Sequence, residues 1–331
     1  MTRAERYFIL KEKYKDDIEA FSEIERTCRK MEEHFTDHDR IMISVSGGSD
    51  SDCIVHLVCT YFSEYLDKIS FAFVNTGLEY AATKRHLCDL ETKYRIKIDR
   101  IRGTSVVTAV RKFGVPILNK SKAHMVELYL GHTPKGYYLC FEMHGMYELT
   151  ENERNLVRYL NENNIKVSSK CCDVSKKKPV HEYAKQHKID LSVSGERKAE
   201  GGVRATSHNS CFETKKDGID KFMPLFWWSN DVKATFKKTE NIRYSDCYEV
   251  WGMKRTGCVG CPFGKDTAEE LQMMLKYEPN LYEACMNVFG VAYELTDRFN
   301  CRKKKKLPEY IQLRFDFKDN ELEIYGGISN E

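Results

Sequence analysis

The chain has 331 residues, 41% hydrophobic and 31% charged, with a formal charge of +3 and thirteen cysteines. That balance is the ordinary one for a soluble globular protein of one large or two modest domains, and the charge is too small to indicate a nucleic-acid partner by itself. No apolar run is long enough to span a bilayer and the charged start MTRAERYFILKEKYKDD lacks a signal-peptide core, so a cytoplasmic chain with reduced thiols and no membrane partner is expected.

Residues 1–38 are expected as an N-terminal helical segment. Ile41 to Val45 then reads as a short buried strand. It runs straight into Ser46-Gly47-Gly48-Ser49-Asp50-Ser51. From Cys53 to Leu66 the apolar residues Ile54, Leu57, Val58, Tyr61 and Phe62 fall at helical spacing. A strand, a glycine-rich turn and a helix in this order present free backbone N–H groups at a helix N-terminus, which attract phosphate. Gly47 and Gly48 allow close backbone approach, and Ser46 and Ser51 can add hydroxyl donors. Asp50 repels phosphate on its own, so it reads as a metal-side or helix-capping residue. The plain alternative is an ordinary capped turn.

The SGGSDS stretch resembles the SGGxDS loop of the ATP pyrophosphatases of the PP-loop superfamily. Those enzymes split ATP between its α and β phosphates and often adenylate a substrate. Their loop lacks the lysine of the Walker-type loop, as this one does. The resemblance implies an α/β fold, Rossmann-like (adenine nucleotide alpha hydrolase-like), with a mostly parallel sheet and flanking helices. It also implies ATP and Mg²⁺ as ligands, with Ser46, Gly47, Gly48, Ser49, Asp50 and Ser51 around the nucleotide and Asp50 among the catalytic residues. Ile69 to Val74 is a second apolar strand, followed by Asn75-Thr76-Gly77-Leu78-Glu79. In the phosphoadenosine phosphosulfate (PAPS) reductase branch a similar acidic-Thr-Gly element follows the loop. That makes Thr76 and Gly77 nucleotide-side residues, with Asn75 standing where the branch commonly has Asp. Ile96 to Ile101 fits a third strand, and Gly103-Thr104-Ser105 opens a helix that should end near Gly114 and Pro116.

The stretch Pro116 to Ile165 reads as a helical insertion that either shapes an acceptor pocket or forms a packing or dimer surface. Beyond it lies the adjacent pair Cys171-Cys172, and far downstream the RTGCVGCPFG stretch carries Cys258 and Cys261. This arrangement resembles the [4Fe–4S] ligand pattern of adenylyl-sulfate (APS) reductases, which implies one site made of Cys171, Cys172, Cys258 and Cys261. Structural zinc and a redox or packing role are the alternatives. Cys53, Cys59 and Cys88 fall on helical stretches and are expected in the core.

Ile189 to Ser194 reads as another buried strand, ending in Gly195-Glu196-Arg197-Lys198-Ala199-Glu200-Gly201-Gly202-Val203-Arg204. It looks like the family's glycine-arginine loop. Gly195 is then nucleotide-side, and Arg197 and Arg204 are candidates for holding phosphate-like oxyanions in catalysis; surface ion pairs are the alternative. Pro224-Leu225-Phe226-Trp227-Trp228-Ser229-Asn230-Asp231-Val232 resembles the family's Pro-Leu…Trp…Asp-Val element, with the tryptophans expected in packing. Three segments follow: 1–38, a nucleotide-binding α/β domain over 39–265 with its insertion near 116–165, and a helical, tail-bearing region over 266–331, so that the metal-bearing part lies toward the C-terminus.

Dedicated sulfonucleotide reductases carry a catalytic cysteine in a C-terminal tail, whereas RFDFKDNELEIYGGISNE has none, and Cys301 lacks that motif's neighbours. The expectation is therefore a PP-loop enzyme, a transferase of sulfur metabolism that adenylates an acceptor for sulfur transfer and carries a [4Fe–4S] cluster. This class includes tRNA and DNA sulfur modification, as in Dnd-type phosphorothioation proteins. Its partners would be a nucleotide, a sulfur donor or thiol reductant, and an acceptor for which nucleic acid is one candidate; a homo-oligomer is compatible with all of this. An APS or PAPS reductase, an oxidoreductase, is the second reading. A metal-stabilised nucleic-acid-binding module using Lys176 to Lys178 and Arg302 to Lys306 is the third.

Overall fold

The computed structural model describes residues 1–145, 147–201, 208–264 and 266–301. Arg204 and the basic run Arg302 to Lys306 lie outside the described residues. The chain forms two compact units. The first collects Met1–Val74, Ala81–Ile101 and Pro179–Thr256; the second collects Asn75–Tyr80, Arg102–Lys178 and the described residues from Gly257 onward.

In the first unit the strands are β1 (Ile41–Ser44), β2 (Ile69–Asn75), β3 (Ile98–Arg102), β4 (Leu191–Val193), β5 (Phe212–Glu213) and β6 (Asp220–Phe222), in the sheet order β3-β2-β1-β4-β6-β5. β1 pairs in parallel with both β2 and β4, β4 pairs in parallel with β6, and β5 closes the edge antiparallel. This is the mostly parallel, Rossmann-like α/β sheet that the sequence resemblance implied. A central parallel strand is buried on both faces, which is why β1 is continuously apolar rather than alternating. Ile41 and Ile43 pack with Ile54, Leu57 and Val58 of α3 (Ser49–Tyr61) and with Ile24 and Met31 of α2 (Ile18–Asp37). Met42 faces the other way, against Ala72, Ala184 and Ile189. The helix after the glycine loop begins four residues earlier than its apolar spacing suggested, because Ser49 to Asp52 are helical but polar. A 3₁₀ turn, Ser63–Lys68, takes up what was read as its last turn.

Residues 1–38 form α1 (Arg3–Lys13) and α2, capped by Thr2 with Glu5 and by Asp17. They join the first unit through its apolar core, with Leu10, Ile24, Met31 and Phe35, and α1 is also tied to α3 by one buried carboxylate. Glu240 accepts from Lys13 Nζ at 2.8 Å, Tyr14 Oη at 2.9 Å and Tyr61 Oη at 2.6 Å, and its other contact is His56 Nε2 at 3.1 Å. Its side chain is 2% exposed. Burial alone would raise its pKa. The hydrogen bonds from His56, Lys13 and Tyr61 overcome this and hold it down to about 2.

The second unit is helical: α5 (Val106–Phe113), α6 (Lys120–Leu130), α8 (Glu151–Glu162) and the two long helices Thr267–Tyr277 and Pro279–Arg298. Between α6 and α8 lies the short helix α7 (Pro134–Tyr137), continued by a π turn. The helical insertion is thus present, and Ile117, Val126, Leu156 and Leu160 share one core with Ala292 and Leu295. Ser105 caps α5 and Gly114, at φ +112°, ends it where expected. Among the described residues, no helix is long and apolar enough to cross a membrane. Of the three cysteines expected in the core, Cys53 is buried and Cys59 half-buried, whereas Cys88 is exposed, since it falls on the solvent side of α4 (Ala81–Tyr94). Trp228 is buried as expected, but Trp227 is exposed, with the Lys198 ammonium 5.1 Å from its ring centroid.

Replacing Glu240 with Ala should destabilise the protein by about 3–5 kcal/mol, because several buried donors lose their acceptor. Urea denaturation checks this. The depressed pKa also sets a pH effect. Stability from Glu240 is present above its unfolded value, near 4.5, and is lost as pH falls through about 2. The wild type should therefore lose stability more steeply than Glu240→Gln over that acid range.

Candidate functional site

The loop after β1 is shaped by its own serines. Ser51 Oγ donates to the Gly48 carbonyl at 2.8 Å and accepts from Ser46 N at 3.2 Å; Gly48 N donates to Ser46 Oγ at 3.2 Å. The two hydroxyls expected as phosphate donors are therefore engaged in holding the turn. Gly47 sits at φ +67°, and a Cβ there would meet Thr83 Cγ2 at 2.6 Å, so both its backbone and its surroundings require glycine. Gly48 is the N-cap of α3 and offers no side-chain cap. The Tyr248 hydroxyl stands at this helix start. It accepts from Thr256 N at 3.1 Å, bonds Thr256 Oγ1 at 2.9 Å and takes a backbone hydrogen bond from Ser49. Backbone donors thus converge on an oxygen here, as they would on an anion.

Asp50 is the most connected residue of the loop. Its Oδ1 receives Arg197 Nε at 2.7 Å and Lys233 Nζ at 2.8 Å. Arg197 is buried and spends its other nitrogens on the carbonyls of Trp228 and Ser229 and on Asn230 Oδ1, each at 3.2 Å. Its fork is turned inward, where it fixes Asp50. Lys233 lies on the helix Asn230–Thr239 and also donates to Ser49 Oγ at 2.6 Å. Gly195, just past β4, comes so close that a Cβ would lie 3.0 Å from Asp50 C and Ser51 N. The second carboxylate of the helix start, Asp52, is buried on His86 at 2.7 Å. Burial raises the Asp52 pKa. Burial works to lower that of His86, but the Asp52 hydrogen bond and charge outweigh it and raise the value. With Asp50 committed to two cations and Asp52 enclosed, the residues present do not fit a Mg²⁺ site, and the metal-side role expected of Asp50 finds no support in this arrangement.

Nothing in a lone lysine on an amphipathic helix marked Lys233 in the sequence. Its one signal is position, directly after the Asp231-Val232 element. Arg204 lies outside the described residues, and Thr76 and Gly77 belong to the second unit. There Thr76 N and Oγ1 both donate to Glu79 Oε1, at 3.1 and 2.7 Å.

The second unit also brings its four expected cysteines into one neighbourhood. Cys171 and Cys172 occupy the short helix Lys170–Cys172, and Cys261 N donates to the Cys258 carbonyl at 3.1 Å. Gly260 between them, at φ +61°, is crowded by Tyr293 and Cys285. Cys171 and Cys172 share a hydrogen bond, and each interacts electrostatically with the downstream pair or its lysine. That hydrogen bond holds the Cys172 thiol down to about 6, burial opposing it and Lys120 and Lys176 assisting, while Cys171 is pushed up. Burial raises Cys258, against the Lys176 ammonium that hydrogen-bonds it, and raises Cys261 to about 12. Among the described residues, no group of three or more Cys, His, Asp or Glu side chains meets the geometry of a metal chelate. The donor chemistry, four soft sulfurs from two chain segments, suits an iron–sulfur cluster or zinc.

Gly195→Ala should displace the first turn of α3, because the atoms it would meet are mostly backbone and cannot rotate away. A loss of about 1–3 kcal/mol in urea denaturation is expected. An unchanged midpoint would mean that the strand end and the helix start have room to part.

Two curated relatives come from Methanocaldococcus jannaschii: uncharacterized protein MJ0066, 27% identical over 75% of this chain and 41% of the relative, and uncharacterized protein MJ0973, 23% identical over 75% and 47%. The chain thus spans less than half the length of the curated relatives it matches. Among solved structures, a phosphoadenylyl-sulfate (PAPS) reductase from Candida auris, in a phosphate complex, is similar at TM-score 0.39 and 13% identity, covering 66% of this chain and 81% of the other. The U34-tRNA thiolase NcsA from Methanococcus maripaludis, with its [4Fe-4S] cluster, is similar at TM-score 0.37 and 12% identity, covering 84% and 79%. At that overlap neither structure bears on the chemistry of this chain. The model of the phosphoadenosine phosphosulfate reductase domain matches residues 40–119 and 132–264, more than half of the sequence, and the chain belongs to that family.

Proposed function

We propose that this protein is an ATP-dependent enzyme that adenylates an acceptor for sulfur transfer. The observation that carries the reading is the loop at residues 46–51: a turn held by its own serines, a glycine at positive φ, and backbone donors converging at the start of α3. In this scheme the phosphates of ATP take the place of the Tyr248 oxygen. An acceptor oxygen forms a bond to the α-phosphorus as the bond to the bridging oxygen breaks. Pyrophosphate leaves with the electron pair, and the acceptor proton passes to solvent. A sulfide-level donor then displaces AMP, so no oxidant or reductant is consumed. Stabilising the pyrophosphate charge and positioning the acceptor would supply most of the acceleration.

Cys171, Cys172, Cys258 and Cys261 would hold a [4Fe–4S] cluster, which, when bound, would pin two chain segments together and tune the local field. With four protein thiolates as ligands, no iron is left open.

Family membership also supports a sulfonucleotide reductase as the second reading. That chemistry needs a reachable thiolate. Cys301 is half-buried among apolar side chains, and burial pushes its thiol up to about 12, which disfavours it as the nucleophile.

Anaerobically purified protein should be brown with about four irons per chain, and Cys258→Ser should lose the colour. A colourless protein with one stoichiometric zinc would overturn the cluster. Independently, ATP should yield pyrophosphate only when the acceptor is present. Robust sulfite release from APS or PAPS with a thiol reductant would instead establish the reductase.

A further inference from the structure

We infer that Lys233 is the phosphate-contacting cation of the nucleotide loop, held in reserve by Asp50. This deepens the reading of residues 46–51 as an ATP loop and rests on it. Two cations share one carboxylate: Arg197 and Lys233 both bond Asp50 Oδ1, at 2.7 and 2.8 Å. Among these three groups one unit of positive charge is left over at the N-terminal turn of a helix, where the backbone is positive as well; Asp52 on the same turn also feels Lys233, but its direct partner is His86 at 2.7 Å. The two cations are not equivalent. Arg197 is fixed by Trp228, Ser229 and Asn230, so it cannot leave without stranding buried partners. Lys233 is held by Asp50, by the neutral hydroxyl of Ser49 at 2.6 Å, and by the face of Tyr244, whose ring centroid is 5.6 Å from the ammonium. An ammonium has three donors on a flexible stem, so it can keep Ser49 and exchange Asp50 for a phosphate oxygen. Arg197 then remains to neutralise Asp50. The surplus charge thus becomes available when an anion arrives, and without it no uncompensated lysine is exposed. The loop itself contains no lysine, and Lys233 reaches it from 184 residues away.

The test uses the full chain, with inorganic pyrophosphate, ATP and adenosine as probes in titration calorimetry at low and moderate salt. Lys233→Met should weaken pyrophosphate and ATP binding at least about tenfold, the scale of one charge-assisted hydrogen bond, and flatten their salt dependence. Adenosine binding should be unchanged, an outcome that a merely structural role would not produce. Lys233→Arg should restore part of the phosphate affinity. If Lys233→Met does not fold, Lys233→Gln carries the same test, because it keeps a hydrogen bond to Ser49 without the charge. Pyrophosphate and ATP bound equally well by wild type and the neutral variants would overturn the assignment while leaving the loop reading intact. Equal loss of adenosine and pyrophosphate would overturn it in favour of a packing role. A wild-type protein that binds neither pyrophosphate nor ATP would sink both this assignment and the loop reading.

Discussion

The Asp50 carboxylate ties together three segments that the chain keeps far apart. The loop after the central strand supplies the acid, the exit of β4 supplies Arg197, and the helix Asn230–Thr239 supplies Lys233. The side chains of all three are at most 15% exposed, so the arrangement is only partly screened by solvent. Burying ions is costly unless each has a partner in good geometry. Here the carbonyls of Trp228 and Ser229 and the Asn230 side chain complete the arginine, and Ser49 helps to complete the lysine. The close approach of Gly195 to the start of α3 is the steric counterpart of the same junction.

The rest of the first unit supports that junction. β1 lies between two parallel neighbours, so the loop leaves the carboxyl end of a strand that is packed on both faces. Ligands of open parallel sheets bind at such strand ends. The Glu240 cluster fastens α1 to α3 with a carboxylate whose hydrogen bonds outweigh the cost of its burial. Trp228 is buried with its indole N–H on Thr27 Oγ1 at 2.9 Å, and its carbonyl on Arg197. One residue thus serves the core with its ring and the charged junction with its backbone.

The second unit has a different logic. Its four cysteines come from two short segments held by helix ends and a positive-φ glycine. Lys176, just after the Cys171–Cys172 turn, and Lys120, at the start of α6, act on the Cys172 thiol, and the Thr76–Glu79 turn contributes an opposing negative charge. Burial disfavours every thiolate here, and lysines counter it at Cys172 and Cys258. A buried sulfur group with cationic neighbours is suited to soft-metal chemistry and poorly suited to holding unpaired charge.

What the sequence by itself determined is whatever depends on near neighbours. The strand–glycine–helix order, the short apolar strands, the cap at Ser105 and the stop at Gly114 were all legible, since they follow from local backbone preference and apolar period. The cysteine set was legible only through resemblance, because nothing local links Cys172 to Cys258. The extent of α3 was misjudged for the converse reason: its first turn is polar, and apolar spacing does not register it. Only the tertiary structure decided which groups each charge touches. Arg197 carried the signature of an anion-binding arginine, and the fold buries its guanidinium against four acceptors, Asp50 among them. Lys233 carried no signature, yet it stands at the helix start with a flexible ammonium. Arg197 lies 147 residues from its carboxylate, and Lys233 lies 184 from the serine it touches. Charges so distant along the chain meet only after the sheet has formed, and that packing sets the partners of each: four acceptors for Arg197, and Asp50 and Ser49 for Lys233.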